Sequence, residues 1–442
     1  MKAWFLMWLV LPATVLLAGC GGGTGNTNPS SAVSLSTSQA VALKVTEALF
    51  AQTHVLLPGG GSGDLTTTGG GRWDTANHAP LDLIGHREAL AIVAFQQTDP
   101  INPRLEMWQS DLMVGTVVLS PPSALPPTEQ GSSTAARGAR FRSNSYSGVV
   151  PAQYMQAGLS LKAVADNYQG TWIASLNIGA DTPLIVKLLP LYLYGANLNV
   201  YQTLRGTTRD PSMMSVAEAQ EIDAKLPASS TTVVSHEIQI QWPYFVFPPR
   251  TKTPFATLPT PNPAYRATDA SMEKSNWDPV NGAISLMGAI QKATGDNELN
   301  VSSYMPIITL NTTTNPYTFG GLAGGLGGGH NGVGGSTFGG IFWHEMGHSF
   351  GLPHTDGLLN STAPERNSLG YAWGYDVHRK EFIAPFLLPG MQDYVGCATN
   401  ARRITDSQGR CQKVEPDWTS GTYGQDRGTF NWSMHSEYYQ AR

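Results

Sequence analysis

The sequence predicts an α+β protein in which a β-sandwich-like N-terminal part precedes a part where helices alternate with strands. The chain of 442 residues contains 48 Gly and 30 Pro, too many turn-forming residues for a helical bundle or a coiled coil. Hydrophobic residues make up 41% of the chain, enough to build a core, and charged residues only 13%. The pattern of apolar runs changes near residue 206, which marks the predicted boundary between the two parts.

The first part, residues 41–205, carries short apolar runs between clusters of Gly, Pro and Asn, as strands and turns do. No internal repeat is evident along it. We therefore predict a β-rich domain of the sandwich type. Its predicted strands cover residues 89–95, 112–119, 159–164 and 184–194.

The second part, residues 206–442, alternates helices with strands, which favours an α+β or α/β arrangement. One predicted helix covers residues 210–225, with Asp210 as its N-cap and Pro at its first position. A second covers residues 278–295: an Asp-Pro pair begins it and Gly295 ends it. Predicted strands cover residues 231–242 and 305–310, and a proline-rich loop covers residues 247–265.

The N-terminus has the pattern of an export signal. Lys2 precedes an apolar run over residues 3–17, and Leu-Ala-Gly leads into Cys20. A positive start, an apolar run and small residues before a cleavage point are typical of a secretory signal. The Leu-Ala-Gly-Cys ending resembles a bacterial lipobox, so we predict a lipoprotein signal peptide over residues 1–19 and lipidation of the Cys20 thiol. An ordinary signal peptide followed by a chance Cys is the alternative.

The segment after the signal, residues 20–40, is predicted to be a flexible tether, because residues 21–31 consist almost entirely of Gly, Ser, Thr and Asn. In lipoproteins that it resembles, the lack of Asp after the lipidated Cys favours the outer membrane. We therefore expect an exported protein that is either a bacterial outer-membrane lipoprotein, attached to the membrane through Cys20, or extracellular.

Two cysteines remain once Cys20 carries a lipid. Because an even number of cysteines is left and the expected compartment is oxidising, we predict one disulfide, between Cys397 and Cys411. Closing such a short loop stabilises the fold by about 3 kcal/mol in the chain-entropy estimate. Two free thiols are the alternative.

Neither nucleic acids nor nucleotides are expected ligands. The formal net charge is −5, and no dense run of Lys and Arg occurs. Residues 320–340 hold 12 glycines in 21 positions and contain a G-x-G-x-x-G match at Gly327, Gly329 and Gly332. They lack the ribose-binding acid and the Lys-Ser/Thr pair of nucleotide loops. We expect a flexible rim beside the helix that follows.

Residues 344–354 match H-E-x-x-H-x-x-G-x-x-H, the segment of the chain that carries the most chemistry. On a helix, His344 and His348 lie one turn apart on the same face, where both imidazoles can reach one zinc ion at roughly 2.0–2.1 Å. Gly351 can end the helix in the left-handed conformation, so that the chain turns and brings His354 back as a third ligand. Three neutral nitrogen ligands leave an open position for water, as a catalytic zinc requires.

Glu345 is the predicted catalytic residue. It follows the first ligand, within reach of the water and not of the metal, and can take the water's proton and pass it to the leaving amine. The alternative is a structural zinc site, which usually has four protein ligands and often uses Cys; Cys397 lies 43 residues beyond His354. Other faces of the helix are predicted to pack into the core through Ile341, Phe342, Trp343, Met346 and Phe350.

The motif is similar to that of the metzincin metallopeptidases, whose zinc site also rests on a downstream methionine turn. The resemblance implies a metzincin-type zinc protease domain with one catalytic Zn²⁺. Met434 is the matching methionine, and an ordinary core Met is the alternative. Tyr438 and Tyr439 follow it, and in some metzincins a tyrosine there ligates zinc or stabilises the oxyanion. Eight residues follow Met434, where metzincins usually place a helix.

The wider sequence resembles the dictomallein/StcE-type mucin-degrading lipoprotein metalloproteases, which include the ToxR-regulated accessory lipoprotein. This resemblance implies a secreted or surface endopeptidase that cleaves O-glycosylated, mucin-like proteins. Two rival functions stay open: a surface adhesin or glycan-binding lipoprotein with an inactive zinc domain, and a peptidase of unglycosylated proteins. Besides the zinc motif, the glycine-rich run and the Cys pair, the resemblance rests on residues 50–55, 146–159, 373–376 and 382–385.

Other residues are weaker candidates. Trp373 and Tyr375 can stack on sugars, but aromatic residues at this spacing are more often part of a core. His330, His378 and His435 are predicted to be surface or structural residues rather than metal ligands.

Overall fold

The computed structural model describes residues 41–59, 82–127, 141–206, 208, 210, 212–235, 240–252, 257–274, 277–296, 300–313, 318–320, 325–336, 338, 340–350, 374–383, 403–405 and 411–414. The signal peptide, Cys20 and the tether lie outside these residues, so the export signal and the lipid anchor stay predictions. Within the described ranges, no helix is long and apolar enough to cross a membrane.

The described elements are mixed, with more strand than helix, in agreement with the predicted α+β class. The helices are α1 (Leu198–Arg205), α2 (Val216–Lys225), α3 (Trp277–Thr294) and α4 (Gly340–Ser349), with short 3-10 turns at Pro122–Ala124, Ala152–Tyr154 and Ala270–Met272. The strands of the first half are β1 (Val45–Ala51), β2 (Val55–Leu56), β3 (Ala89–Phe95), β4 (Arg104–Gln109), β5 (Leu112–Val118), β6 (Tyr146–Val150), β7 (Leu159–Ala165), β8 (Tyr168–Trp172), β9 (Leu184–Leu188) and β10 (Leu191–Leu193). The remaining strands are β11 (Thr231–Ser235), β12 (Ile240–Trp242), β13 (Phe245–Phe247), β14 (Arg250–Lys252), β15 (Thr257–Asn262), β16 (Tyr265–Ala267), β17 (Val301–Asn311), β18 (Thr318–Gly320), β19 (Leu326–Gly328), β20 (Asn331–Gly335), β21 (Gly374–Asp376), β22 (Glu381–Ile383), β23 (Arg403–Thr405) and β24 (Cys411–Val414).

Two antiparallel four-stranded sheets form the β-rich part, with strand orders β2-β1-β3-β6 and β5-β4-β7-β8. Every second residue of β7 is buried, the alternation expected of a strand with one face toward a core. Phe50 and Ala91 of the first sheet and Leu105 and Leu161 of the second belong to one hydrophobic cluster. Three of the predicted strands are therefore confirmed, as β3, β5 and β7, while the domain boundaries stay predictions.

The second part is built on an eight-stranded mixed sheet whose central strand is β17. β9 and β10 lie end to end along one side of β17 and β20 lies along the other, all parallel to it. β11 and β12 extend the sheet in parallel, whereas β18 and β19 are antiparallel. Ten of the 11 residues of β17 are buried, because helices cover both faces of the sheet, as a parallel sheet requires.

The predicted strand at residues 184–194 differs from the structure in two ways. It is divided into β9 and β10, and both strands belong to the second sheet rather than to the β-rich sheets. Pro190 lies between them and has no amide to donate to a ladder. All three residues of β10 are buried, as in a strand that is covered on both faces.

The helices pack on opposite faces of this sheet. Ile222 of α2 and Phe342 of α4 share a cluster with Tyr304 on one face of β17. Met287 of α3 packs with Met305, the next residue of β17, on the other face. Because neighbouring side chains of a strand point to opposite faces, α4 and α3 enclose the sheet between them.

The sequence predicts Asp210 as the N-cap of the helix that ends at Lys225, and this is wrong. The N-cap is Ser215: its side chain accepts the amide of Glu218, and the Glu218 carboxylate accepts the amide of Ser215 at 2.7 Å, which completes a capping box. Asp210 accepts the amide of Ser212 in a local turn instead.

Replacing Ser215 with Ala is expected to lower the free energy of unfolding by about 1 kcal/mol, because an amide of the first turn loses its acceptor. Urea denaturation followed by circular dichroism measures this change. Ser175→Ala, at an exposed position outside the helices and strands, is the matched control and should change the free energy by less than about 0.5 kcal/mol. Equal effects of the two substitutions would contradict the capping role.

Other predicted elements differ in detail. The predicted helix over residues 278–295 is confirmed as α3, and the strand over 305–310 lies within β17. The segment 231–242 contains β11 and β12 rather than one strand. The proline-rich segment 247–265 contains the antiparallel pair β14–β15 rather than only a loop, and α1 was not predicted.

Candidate functional site

The first half of the zinc motif lies on α4. Residues 344 and 348 are one helical turn apart, as the sequence predicts, and Glu345 lies between them. Gly351 and His354 lie outside the described residues, so the position of the third predicted ligand stays a prediction. The helix prediction is confirmed for residues 340–349.

Aromatic packing fixes α4 against the sheet. The rings of Phe342 and Tyr304 meet edge to face at 4.8 Å, and those of Phe342 and Phe338 at 5.6 Å. Trp343 and Met346 complete this cluster and are nearly fully buried. The predicted core role of these residues of α4 is confirmed, and Phe350 and Ile341 are half-buried.

The glycine-rich segment is a β-hairpin under α4 where the structure describes it, and not only the expected flexible rim. β19 pairs with β20 through the two-residue turn Gly329-His330. Both turn residues have positive φ, 58° and 67°, as a type I′ turn requires. The amide of His330 donates to the carbonyl of Ser349 at 3.0 Å, which ties the turn to the end of α4.

Glycine is needed in this hairpin because α4 lies against its backbone. A Cβ on Gly327 would lie 2.2 Å from the carbonyl oxygen of Glu345 and 2.6 Å from Cβ of His348. A Cβ on Gly325 would lie 2.7 Å from Oε1 of Glu345. We call Gly325 and Gly327 the glycine cradle; any larger residue there would force α4 or the Glu345 side chain to move.

The carboxyl group of Glu345 is buried, with 4% of the residue exposed. Burial raises the pKa of Glu345 well above its ordinary value, because the charged form loses its hydration. Burial also raises the pKa of Tyr304, and the negative charge of Glu345 adds to this shift. The Tyr304 hydroxyl donates to the carbonyl of Gly335 at 3.0 Å. Glu345 is therefore a carboxyl group withdrawn from solvent, a position that favours its protonated form.

The residue types at positions 344 and 348 of α4 suit zinc, which binds imidazole nitrogen. Two histidines at positions i and i+4 of a helix can supply nitrogen ligands to one metal ion. The absence of a Cβ at Gly327 leaves the space that His348 occupies. Within the described ranges, no group of three or more His, Cys, Asp and Glu side chains converges, on α4 or elsewhere.

Some of the other predicted site residues are described by the structure, and the rest lie outside the described residues. Tyr375 is 3% exposed and packs on Phe382 at 6.0 Å, in agreement with the core alternative. His378 contacts the carboxylate of Asp223 at 2.9 Å, which is a structural role. Cys411 is the first residue of β24, and its disulfide with Cys397 stays a prediction. Trp373, Cys397, Met434, His435, Tyr438 and Tyr439 lie outside the described residues.

Comparison with known proteins decides the family. A family model described as Peptidase M66 matches residues 136–442, more than half of the chain. The chain belongs to the peptidase M66 family. The match begins after β5, so the first strands of the β-rich part lie before it.

The similar proteins extend this result over most of the chain. It is 34% identical over 405 residues to dictomallein from Burkholderia mallei (strain ATCC 23344) and from Burkholderia pseudomallei (strain K96243), covering 90% of this chain and 55% of each relative. It is 29% identical over 406 residues to dictomallein-2 of Dictyostelium discoideum, covering 90% of this chain and 62% of that protein. The chain thus spans little more than half the length of the relatives it matches. The resemblance to the dictomallein/StcE-type family is confirmed.

Two features of the site were not predicted. The glycine cradle was visible in the sequence only as a glycine-rich run, which indicates turns as readily as close helix packing. Arg87 is a buried cation beside α2, and it belongs to no recognisable sequence motif. A buried arginine of this kind is identified by its partners in space and not by its neighbours in the chain.

Proposed function

We propose that this M66 peptidase is a zinc-dependent endopeptidase, in which His344, His348 and His354 hold one zinc ion and Glu345 is the general base. The observation that carries the proposal is the placement of a buried Glu345 between residues 344 and 348 on one helix. When bound, zinc would polarise the substrate carbonyl and lower the pKa of a water molecule to about 7. The open coordination position left by three histidines suits this chemistry.

Glu345 supplies the proton transfers of the proposed reaction. Its carboxylate accepts a proton from the attacking water and delivers it to the nitrogen of the leaving amine. The dry environment that raises the pKa of Glu345 also raises its affinity for this proton. The positive charge of a bound metal would favour the carboxylate and oppose that rise.

For the substrate, we propose O-glycosylated, mucin-like proteins, cleaved at a cell surface or outside the cell by an enzyme anchored through a lipid on Cys20 or secreted. The support is the resemblance to the dictomallein/StcE-type family together with the Leu-Ala-Gly-Cys ending of the apolar N-terminal run. A surface binder of glycans is the rival, and it would hold mucin without cleaving it.

A gel assay of the chain from residue 21 onward tests the substrate class. One mucin-domain protein is offered with its O-glycans and after their enzymatic removal, with and without a zinc chelator. We expect cleavage of the glycosylated form alone and its loss on chelation. Cleavage of both forms would contradict the mucin-type substrate, and binding without cleavage would favour the rival.

A further inference from the structure

Arg87 joins the β-rich part to the second part through backbone carbonyls. It lies two residues before β3, and its side chain is 4% exposed. The guanidinium donates to the carbonyl of Ala228 at 2.7 Å, to that of Leu226 at 3.4 Å and to that of Asp223. These carbonyls belong to the last turn of α2 and the residues after it, which have no partner within the helix. A cation is the favoured partner for them at a helix C-terminus.

The guanidinium of Arg87 loses its hydration in this buried position. Burial lowers the pKa of Arg87, and the Asp223 carboxylate, 4.0 Å from Nη1, opposes this shift. A buried cation of this kind is retained only when hydrogen bonds replace its lost water. Removing it would take this donor away from the carbonyls of Asp223 and Ala228, whereas the carbonyl of Leu226 also accepts the amide of Ala228 at 2.8 Å.

α2 in turn supports the motif helix. Ile222 and Leu226 share a hydrophobic cluster with Trp343 and Met346 of α4. The ammonium of Lys225 lies over the ring of Trp343, 5.5 Å from its centroid. Since Trp343 and Met346 flank the His-Glu pair of the motif, a shift of α2 would shift the proposed catalytic residues.

A second set of hydrogen bonds connects the β-rich part to the second part of the chain. The Gln52 side chain, directly after β1, donates to the carbonyl of Arg87 at 2.9 Å, and the Gln52 carbonyl accepts the amide of Tyr375 at 2.6 Å. The hairpin β21–β22, which begins one residue before Tyr375, carries His378, whose Nε2 lies 2.9 Å from Oδ2 of Asp223. The β-rich part therefore holds both α2 and the hairpin that follows the zinc motif.

We propose that the β-rich part is a permanent scaffold of the peptidase, with Arg87 as the residue that positions α2 and thereby α4, and that it is not a propeptide removed on activation. The proposal concerns the placement of the motif helix, and it stands whatever the substrate is. Contacts through buried backbone carbonyls and a desolvated cation do not separate and re-form readily, unlike the exposed ion pairs by which mobile domains touch.

Hydrogen exchange of the full chain distinguishes positioning from general stability. In Arg87→Met, amide exchange in α2 and α4 is expected to be about tenfold faster than in the wild type, while exchange in β3 changes by less than about twofold. Arg87→Lys keeps the charge but not the planar fork of donors, so intermediate rates are expected. Arg104→Met is the matched control, because Arg104 forms an exposed pair with Asp166 at 2.7 Å in the same part of the chain. Unchanged exchange in α4, or equal acceleration in β3 and α4, would overturn the positioning role.

Cleavage of the chain between its parts tests the scaffold without changing Arg87. Residues 180–183 are all exposed, and a recognition site for a specific protease can be inserted there. After cleavage, the two fragments should elute together in size exclusion and unfold in one transition, and any peptidase activity should persist. Separation of the fragments, or a rise in activity on their separation, would overturn the proposal. Co-elution does not require activity, so a failure of the zinc-peptidase proposal would be recognised separately.

Discussion

Replacing Glu345 with Gln is expected to lower peptide cleavage by about three orders of magnitude, because Gln cannot accept or deliver the proton. Gln has nearly the same shape as Glu and fits the glycine cradle, so the packing of α4 against β19 and β20 should persist. The zinc content should also stay that of the wild type, since Glu345 is not among the proposed ligands. Turnover of a peptide substrate and zinc content by elemental analysis measure the two effects.

The matched control for this change is Glu106→Gln. Glu106 lies on β4 in the β-rich part, where its carboxylate accepts the indole N–H of Trp108 at 3.3 Å. This substitution alters the same functional group away from α4, and turnover should stay within about twofold of the wild type. A Glu345→Gln variant that binds zinc and cleaves at the wild-type rate would refute the general-base assignment.

Replacing Gly327 with Ala is expected to lower turnover by about 100-fold, because displacement of a catalytic group by about 1 Å costs this much. The new methyl group would meet the carbonyl oxygen of Glu345 at 2.2 Å, and this oxygen belongs to the helix backbone rather than to a flexible side chain. α4 must therefore move away from β19, and His348 and Glu345 move with it. Turnover, zinc content and near-ultraviolet circular dichroism report the displacement.

Gly335→Ala is the control for this prediction. Gly335 ends β20 in the same hairpin, and a Cβ there would meet nothing within 4 Å. Both variants lose the same backbone freedom, so they differ only in the contact with α4. Wild-type turnover in Gly327→Ala, or an equal loss in Gly335→Ala, would show that the close approach of the hairpin does not position the helix.

The sequence predicted elements whose signals are local. α3 was predicted because an Asp-Pro pair begins it and Gly295 ends it, with a φ of 76°. β7 was predicted because it is a short apolar run between clusters of turn-forming residues. The assignment of β9 and β10 to the second sheet was missed, because their partner β17 lies more than 100 residues later. Strand propensity is a local property and does not indicate which strand a segment pairs with. α1 is short, and only its caps, Asn197 and Gly206, marked it in the sequence.

The site was predictable to a similar extent. The spacing of His344, Glu345 and His348 requires a helix for its chemistry, and the structure contains that helix. The glycine cradle was expected to be a flexible rim, because a run of glycine fits both mobile loops and surfaces against which a helix packs closely. Arg87 could not be predicted, since the carbonyls that it contacts lie 136 to 141 residues away in the chain.

The central position of β17 determines when the second sheet can be completed during synthesis. β9, β10, β11 and β12 are made first, but β17, which pairs directly with β9 and β10, is made only when the ribosome has reached residue 311. Until then, the apolar edge of β9 and β10 has no strand to pair with, and an unpaired edge of this kind promotes aggregation. Parallel pairing between such distant segments is also slow. The nascent chain therefore exposes this edge until β17 has been made.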